Sequence, residues 1–333
     1  MSRPLVRGTS PLRDLPLVAW LIAAATVAIV HRWLPDANWL MLHLVVLGAA
    51  THAILVWSFH FTLTILRAPA TDAANRGQQT RLLLLAAGAA CVLVGVPTAW
   101  WWLTLGGGTL VALSVGWHGW TLFGMLRRAL PARFRVTVHY YLAAGACLLV
   151  GVALGVTLAA EWPDPWHGRL LVAHAMANGL GWIGLTVVGT LLTLWPTMLR
   201  TAMEPRSDLW TRRALPWFLG SLLLGVTGAL LGLGWLAAVG MLGYAGALGQ
   251  WARALWIPAR KRPPREFAPG SVGAAICWLL VALLWAAFIL ATSTDWAVIR
   301  EQFAWPAAVL GAGFGVQVLI GALSYLLPSV LGG

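Results

Sequence analysis

The sequence predicts an all-α fold, a polytopic transmembrane helical bundle of about ten spans that forms a single membrane domain over residues 1–333. Composition is the first reason: hydrophobic residues make up 60% of the chain, charged residues only 10%, and the mean hydropathy is +0.80. These values exclude a soluble domain of this length. Many of the 22 tryptophans fall near the ends of apolar runs, as in an interfacial aromatic belt.

Apolar runs of about 20 residues, long enough to cross a bilayer, recur along the whole chain. They predict spans near residues 15–31, 39–66, 81–101, 103–126, 137–160, 170–198, 214–233, 235–256, 271–292 and 305–328. The chain stops directly after the tenth span, which leaves open that it is a fragment of a longer protein.

Basic residues are divided unevenly between the two ends of these spans. Only Arg32, Arg169 and Arg300 lie in the connections after odd-numbered spans. The other nineteen are Arg3, Arg7, Arg13, Arg67, Arg76, Arg81, Arg127, Arg128, Arg133, Arg135, Arg200, Arg206, Arg212, Arg213, Arg253, Arg260, Lys261, Arg262 and Arg265. This bias predicts a multi-pass protein of the cytoplasmic (inner) membrane with both termini in the cytoplasm. It also explains the net charge of +12 by contact with the lipid bilayer, without a nucleic-acid partner.

Histidines and carboxylates are distributed differently along the spans. All ten acidic residues lie outside the spans or at their edges, which disfavours an ion-coupled transporter. Six histidines lie within spans: His43, His52, His60, His118, His139 and His174. Neutral imidazole is the commonest metal ligand, so imidazoles in a membrane interior without carboxylates indicate haem or metal binding.

His43 and His174 are the leading candidate ligands. Spans two and six run in the same direction, and each histidine lies about four residues, or roughly 6 Å, below the outer boundary. The two rings could therefore face each other across a haem b, or bind copper. Asn178 lies one helical turn from His174 and is predicted to line the same site. Arg169 is the best-placed cation for the propionates of a haem at this depth.

The remaining histidines of the spans, His52, His60, His118 and His139, are weaker metal candidates. The last three lie toward the cytoplasmic end, where an interfacial position is favoured over a second metal site. The alternative for every histidine here is a helix–helix hydrogen bond without a ligand. Glycine pairs four residues apart, such as Gly151 and Gly155, predict close helix crossings and by themselves indicate no chemistry.

Three stretches of the chain share a pattern. A glycine follows five residues after the histidine in both His43–Gly48 and His174–Gly179. Spans six and ten share a glycine-to-proline spacing, seen in Gly189–Pro196 and Gly321–Pro328, although span ten carries no histidine.

This pattern resembles the haem–copper oxidase subunit I superfamily and its NnrS-type relatives, which are built from repeated four-helix units. More closely, the motifs beginning at His174 and Gly321 are similar to the membrane domain of actinobacterial copper oxidases of the copper nitrite reductase-like type. The resemblance implies repeated four-helix units, a haem or copper site on spans two and six, and a cupredoxin or multicopper oxidase domain or protein as partner. Span ten lacks histidines and the adjacent-histidine copper ligands are missing, so an oxygen-reducing binuclear centre is not implied.

The leading interpretation is a haem- or copper-binding membrane protein that transfers electrons with an extracytoplasmic copper protein or domain, as an oxidoreductase component. A non-catalytic membrane anchor is the first alternative. A transporter for copper or a small neutral molecule is the second, and the scattered positions of Met41, Met125, Met176 and Met241 do not favour it. The sequence leaves the substrate, the metal and the oligomeric state open.

Overall fold

The computed structural model describes the backbone of residues 15–331 and the side chains of residues 15–328. Within that part of the chain the structure consists of helices and short connections, with no strand. The predicted all-α class is therefore confirmed. Arg3, Arg7 and Arg13, which entered the charge comparison, lie outside the described residues.

Ten long helices follow one another along the described chain. They are α1 (Leu15–Val30), α2 (Ala37–Leu66), α3 (Asp72–Gly95), α4 (Trp101–Arg128), α5 (Arg135–Leu158), α6 (Trp166–Met198), α7 (Ser207–Leu230), α8 (Gly234–Trp251), α9 (Phe267–Thr292) and α10 (Trp296–Pro328). A short helix, Arg253–Lys261, follows α8. Short connections make consecutive helices antiparallel. The connections after α2, α4, α6 and α8 form what we call the arginine-rich end, and the other connections form the opposite end.

Nine of these helices, all except α8, are long and apolar enough to cross a membrane, as judged over the described residues. The chain is therefore a multi-pass membrane protein. Helix α8 is 18 residues long and contains five glycines and Gln250, which lower its hydropathy. It nevertheless packs as a full member of the bundle, because Gly240 lies directly against Gly225 of α7.

Several helices extend beyond the apolar runs that predicted them. Helix α3 begins at Asp72 rather than near residue 81, because the Thr71 side chain caps it by accepting a bond from the Ala74 amide at 3.2 Å. Helix α10 begins at Trp296 rather than near residue 305, behind the cap that Asp295 supplies. The longer α3 corrects the position of Arg81, which lies inside a helix and is only 2% exposed rather than in a connection.

Helices α2, α6 and α10 share a backbone feature that the sequence pattern did not predict. Each contains a π-helical segment: Leu44–Ala50 in α2, Met176–Gly184 in α6 and Val309–Val316 in α10. Such segments are rare and occur frequently at functional sites. The three stretches with related sequences therefore carry the same irregularity at corresponding places.

The π-helical segments bring the three helices together through glycines. Leu42 of α2 packs on Gly311 of α10, and Leu310 of α10 packs on Gly179 of α6. A Cβ atom on either glycine would overlap a terminal methyl group of the leucine in its present position. Because small residues allow close approach of helix backbones, this interlocking holds α2 and α6 at a short distance.

Candidate functional site

His43 and His174 lie side by side between α2 and α6. Their ring centroids are 6.4 Å apart and their ring planes differ by 28°. Both helices begin earlier than predicted, so the histidines lie six and eight residues inside them. That corresponds to about 9 and 12 Å along the helix axes rather than the expected 6 Å. The structure thus brings together the two histidines that the sequence pattern indicated.

The ring of His43 is held by its own helix. Its Nδ1 lies 2.9 Å from the carbonyl oxygen of Trp39, one turn earlier, and the Trp39 indole stacks on the imidazole with centroids 4.1 Å apart. A carbonyl can only accept, so Nδ1 carries the proton and donates. This leaves Nε2 as the nitrogen with a free lone pair.

The ring of His174 is held by the neighbouring helix α5. Its Nδ1 donates to the carbonyl oxygen of Gly151 at 2.9 Å, which again leaves Nε2 as the basic nitrogen. Asn178 donates from Nδ2 to the His174 carbonyl at 2.9 Å, and the same Nδ2 lies 3.2 and 3.3 Å from the two ring nitrogens. These nearly equal distances place the amide over the ring rather than in line with Nε2.

Two glycines of α5 make room for the side chains of His174 and Asn178. A Cβ on Gly155 would lie 2.7 Å from Cε1 of His174, and a Cβ on Gly151 would lie 2.6 Å from Cγ of Asn178. The glycine pair that predicted only a close helix crossing therefore accommodates two candidate site side chains. The sequence contained a signal for this contact, since His174 and Asn178 are four residues apart, as Gly151 and Gly155 are. It did not show that α5 and α6 would meet at these residues.

Around the π-helical segments, side-chain hydrogen bonds join α6 to α2 and to α8 and reach two π-helical carbonyls. Thr51 donates to the carbonyl of Val46 at 2.8 Å and accepts from Nε1 of Trp182 at 3.1 Å. Thr51 and Trp182 each lie eight residues beyond the histidine of their own helix. The Tyr244 hydroxyl of α8 donates to the carbonyl of Leu180 at 3.0 Å. The bond from Trp182 to Thr51 links the two helices that carry the histidines.

Arg169 contacts residues other than those around the two histidines. Its guanidinium carbon lies 5.2 Å from the centroid of the Trp166 ring and 5.9 Å from that of Trp296, and the guanidinium packs on Gly232. These neighbours belong to the start of α6, the start of α10 and the α7–α8 connection, whereas the His174 ring contacts α5 and α2. A role for Arg169 beside haem propionates remains a prediction.

The four weaker candidates have different surroundings. His52 is buried in α2, and the exposed His139 places Nδ1 3.0 Å from the carbonyl of Arg135. His60 is partly buried, with the rings of Trp57 and Phe61 against it. Over the residues that the structure describes, no three side chains of the His, Cys, Asp and Glu types are grouped so that they could hold a metal ion.

The expectation of an interfacial His118 is wrong. This side chain is only 4% exposed, and its Nε2 lies 2.9 Å from the Ser58 hydroxyl of α2. The reason is that α4 turns this face toward α2 and α3 rather than toward the headgroups.

Arg81 is a buried cation that the sequence did not reveal, because residue 81 was expected at a helix end. Its Nη2 donates to Gln78 at 2.6 Å and its Nη1 to Thr121 at 3.0 Å. The guanidinium carbon lies 5.4 Å from the centroid of the Phe59 ring and 5.5 Å from that of Trp117. None of the ion pairs found between described residues includes Arg81. Amide, hydroxyl and aromatic groups therefore replace the carboxylate that a buried cation usually needs.

The histidine pair presents two basic Nε2 atoms on facing helices, each with its Nδ1 on a backbone carbonyl. This is the arrangement in which protein histidines usually hold a metal, since the second nitrogen fixes the orientation of the ring. No protein-family model, no curated protein and no solved structure matches this chain. The function is therefore inferred from the geometry of the site.

Proposed function

We propose that the protein binds a b-type haem between His43 and His174 and uses it to transfer electrons, as a component of an oxidoreductase. The separation of 6.4 Å between the two ring centroids carries this proposal. Two metal–imidazole bonds of about 2 Å, together with the half-widths of two rings, add up to roughly 6.3 Å. At that distance His43 and His174 would hold one haem iron, each through its Nε2 atom.

Each protein group has a definite part in this proposal. The carbonyls of Trp39 and Gly151 accept from the Nδ1 atoms, which fixes both tautomers and makes both Nε2 atoms better ligands. A haem iron held by two imidazoles supplies one-electron redox chemistry. Asn178 and the two glycines of α5 hold the His174 ring in place, so that the orientation of this imidazole is fixed.

The position of the pair supports exchange of electrons at one side of the membrane. His43 and His174 lie in the half of the bundle away from the arginine-rich end, and positive-inside topology assigns that half to the extracytoplasmic side of the cytoplasmic membrane. Both termini would then be cytoplasmic. We infer an extracytoplasmic copper protein or domain as the partner, on the strength of the resemblance to copper oxidase membrane domains. A copper ion between the same two nitrogens is the alternative occupant.

The decisive experiment is an optical spectrum of the purified, detergent-solubilised protein with iron and copper analysis. Wild-type protein from haem- and copper-replete cells is expected to show a six-coordinate b-type spectrum. His43→Ala and His174→Ala are each expected to abolish it while the protein still elutes as a folded particle. His118→Ala, which removes a buried histidine, and His139→Ala, which removes an exposed one, are matched controls that should retain it.

Copper without iron in the wild type would assign the pair to copper instead. Neither metal in the wild type would overturn the proposal and favour the membrane anchor. Replacing Arg169 with Gln is a separate arm of the same experiment. It should weaken haem retention if Arg169 contacts a propionate, and unchanged retention would remove Arg169 from the site.

A further inference from the structure

A large cavity lies at the arginine-rich end of the bundle, far from the histidine pair along α2 and α6. Its volume is about 1460 Å³, and it opens between the last turns of α2, α4, α6 and α10. Much of its wall is apolar or aromatic, including Trp57, Phe61, Trp120 and Met125. Ligand pockets for drug-sized molecules measure roughly 300–1,000 Å³, so this cavity suits a larger molecule.

The polar part of the cavity wall carries positive charge. Arg67, Arg128 and Arg133 line it, and no acidic residue among those that the structure describes does so. None of the three takes part in the ion pairs recorded for the described part of the chain. Asp72, the acid closest to this lining along the sequence, is exposed and does not line the cavity. Three exposed guanidinium groups without a recorded carboxylate partner therefore border an apolar space.

We propose that this cavity binds an anionic phospholipid, with its phosphate at the three arginines and its acyl chains along the aromatic wall. Guanidinium groups bind phosphate oxygens with charge-assisted hydrogen bonds. Basic pockets between transmembrane helices near the membrane surface are suited to anionic headgroups. A small anion would satisfy the arginines but leave the apolar wall uncovered, whereas a phospholipid satisfies both.

The first test removes charge. The protein is stripped of lipid and incubated with mixed micelles of phosphatidylglycerol and phosphatidylcholine, and its bound lipid is then measured by mass spectrometry. Wild-type protein should be enriched in phosphatidylglycerol. The triple variant Arg67→Gln, Arg128→Gln, Arg133→Gln should lose affinity by about fivefold per arginine, or roughly a hundredfold in total. The control Arg206→Gln, Arg213→Gln, Arg265→Gln removes the same charge at the same end, outside the cavity, and should behave as wild type.

The second test fills the cavity and leaves the charge in place. Gly124 lines the cavity, and a Cβ built there meets no atom within 4 Å, so Gly124→Phe should project into the space without a clash. This variant should bind less phosphatidylglycerol. Gly119 of the same helix has equally open surroundings but does not line the cavity, so Gly119→Phe is the matched control.

Enrichment that falls in both cavity variants and persists in both controls would support the proposal. Equal retention in the two triple variants, or no enrichment in the wild type, would overturn it. Retention in Gly124→Phe would overturn the cavity as the place of binding and assign the effect to surface charge. Displacement of phosphatidylglycerol by an equal concentration of inorganic phosphate would identify a small-anion site instead.

Discussion

Gly155→Ala is expected to displace the His174 ring from its place beside His43. A Cβ at residue 155 would lie 2.7 Å from Cε1 and 3.0 Å from Nδ1 of His174, whereas ordinary van der Waals contact begins at 3.4 Å. The ring must therefore move by about 0.7 Å if the backbone stays in place. The 2.9 Å bond from Nδ1 to the Gly151 carbonyl and the amide of Asn178 both resist that movement.

A displacement of this size is large for a metal ligand. Ligand distances in metal sites are held within about 0.2 Å, so a shift several times larger should weaken or break the bond from His174. Overpacking of a tight helix crossing also typically costs about 1–3 kcal/mol of stability. If His43 and His174 hold a haem as proposed, Gly155→Ala should lose haem or change its spectrum from six-coordinate to five-coordinate, with a modest fall in thermal stability.

The assay compares haem content, optical spectrum and thermal unfolding of the purified variant with those of Gly116→Ala. Residue 116 lies on α4, where a Cβ meets nothing within 4 Å, so the control makes the same chemical change without a clash. A wild-type spectrum and haem content in Gly155→Ala would refute the reasoning. A loss of stability with an unchanged spectrum would show that His174 packs against α5 without binding the iron.

Two further predictions concern Arg81 and the topology. Arg81→Leu should lower the free energy of unfolding by about 1–3 kcal/mol, because it leaves the buried oxygen of Gln78 without its donor. In thermal unfolding, the exposed Arg76→Leu on the same helix should show little change. An equal change in both variants would contradict this role of Arg81. A cysteine introduced at Arg206 should react with impermeant maleimide only in inverted membrane vesicles, since the basic bias of the sequence predicts a cytoplasmic α6–α7 connection. Labelling in intact cells would reverse the orientation.

The spans could be predicted because hydropathy is a local property of the sequence. The run 137–160 corresponds closely to helix α5, Arg135–Leu158. Hydropathy fails where a helix continues beyond its apolar run, as at the start of α3, where the polar residues after Asp72 are helical because Thr71 caps them. The burial of Arg81 follows from that extension, so it could not be seen in the apolar run alone.

The candidate site was predictable in part. His43 and His174 were identified by their place in a shared pattern, and the structure brings their rings together. The π-helical segments next to them were not predictable, because widening a helix changes neither its composition nor its hydropathy. The contact of His118 with Ser58 depends on which faces of α2 and α4 meet, and that is decided by packing between distant parts of the chain.

The composition of α8 has a consequence for how the protein is made. Each nascent helix partitions between the translocon and lipid according to its own hydrophobicity, and α8 is the one long helix of the described chain that is not apolar enough to qualify as a span. Its close contact with α7 through Gly225 and Gly240 suits an insertion step in which the two helices enter the bilayer together as a hairpin. A large side chain at Gly240 would separate α8 from α7 and so weaken that step, and the yield of correctly folded protein should fall.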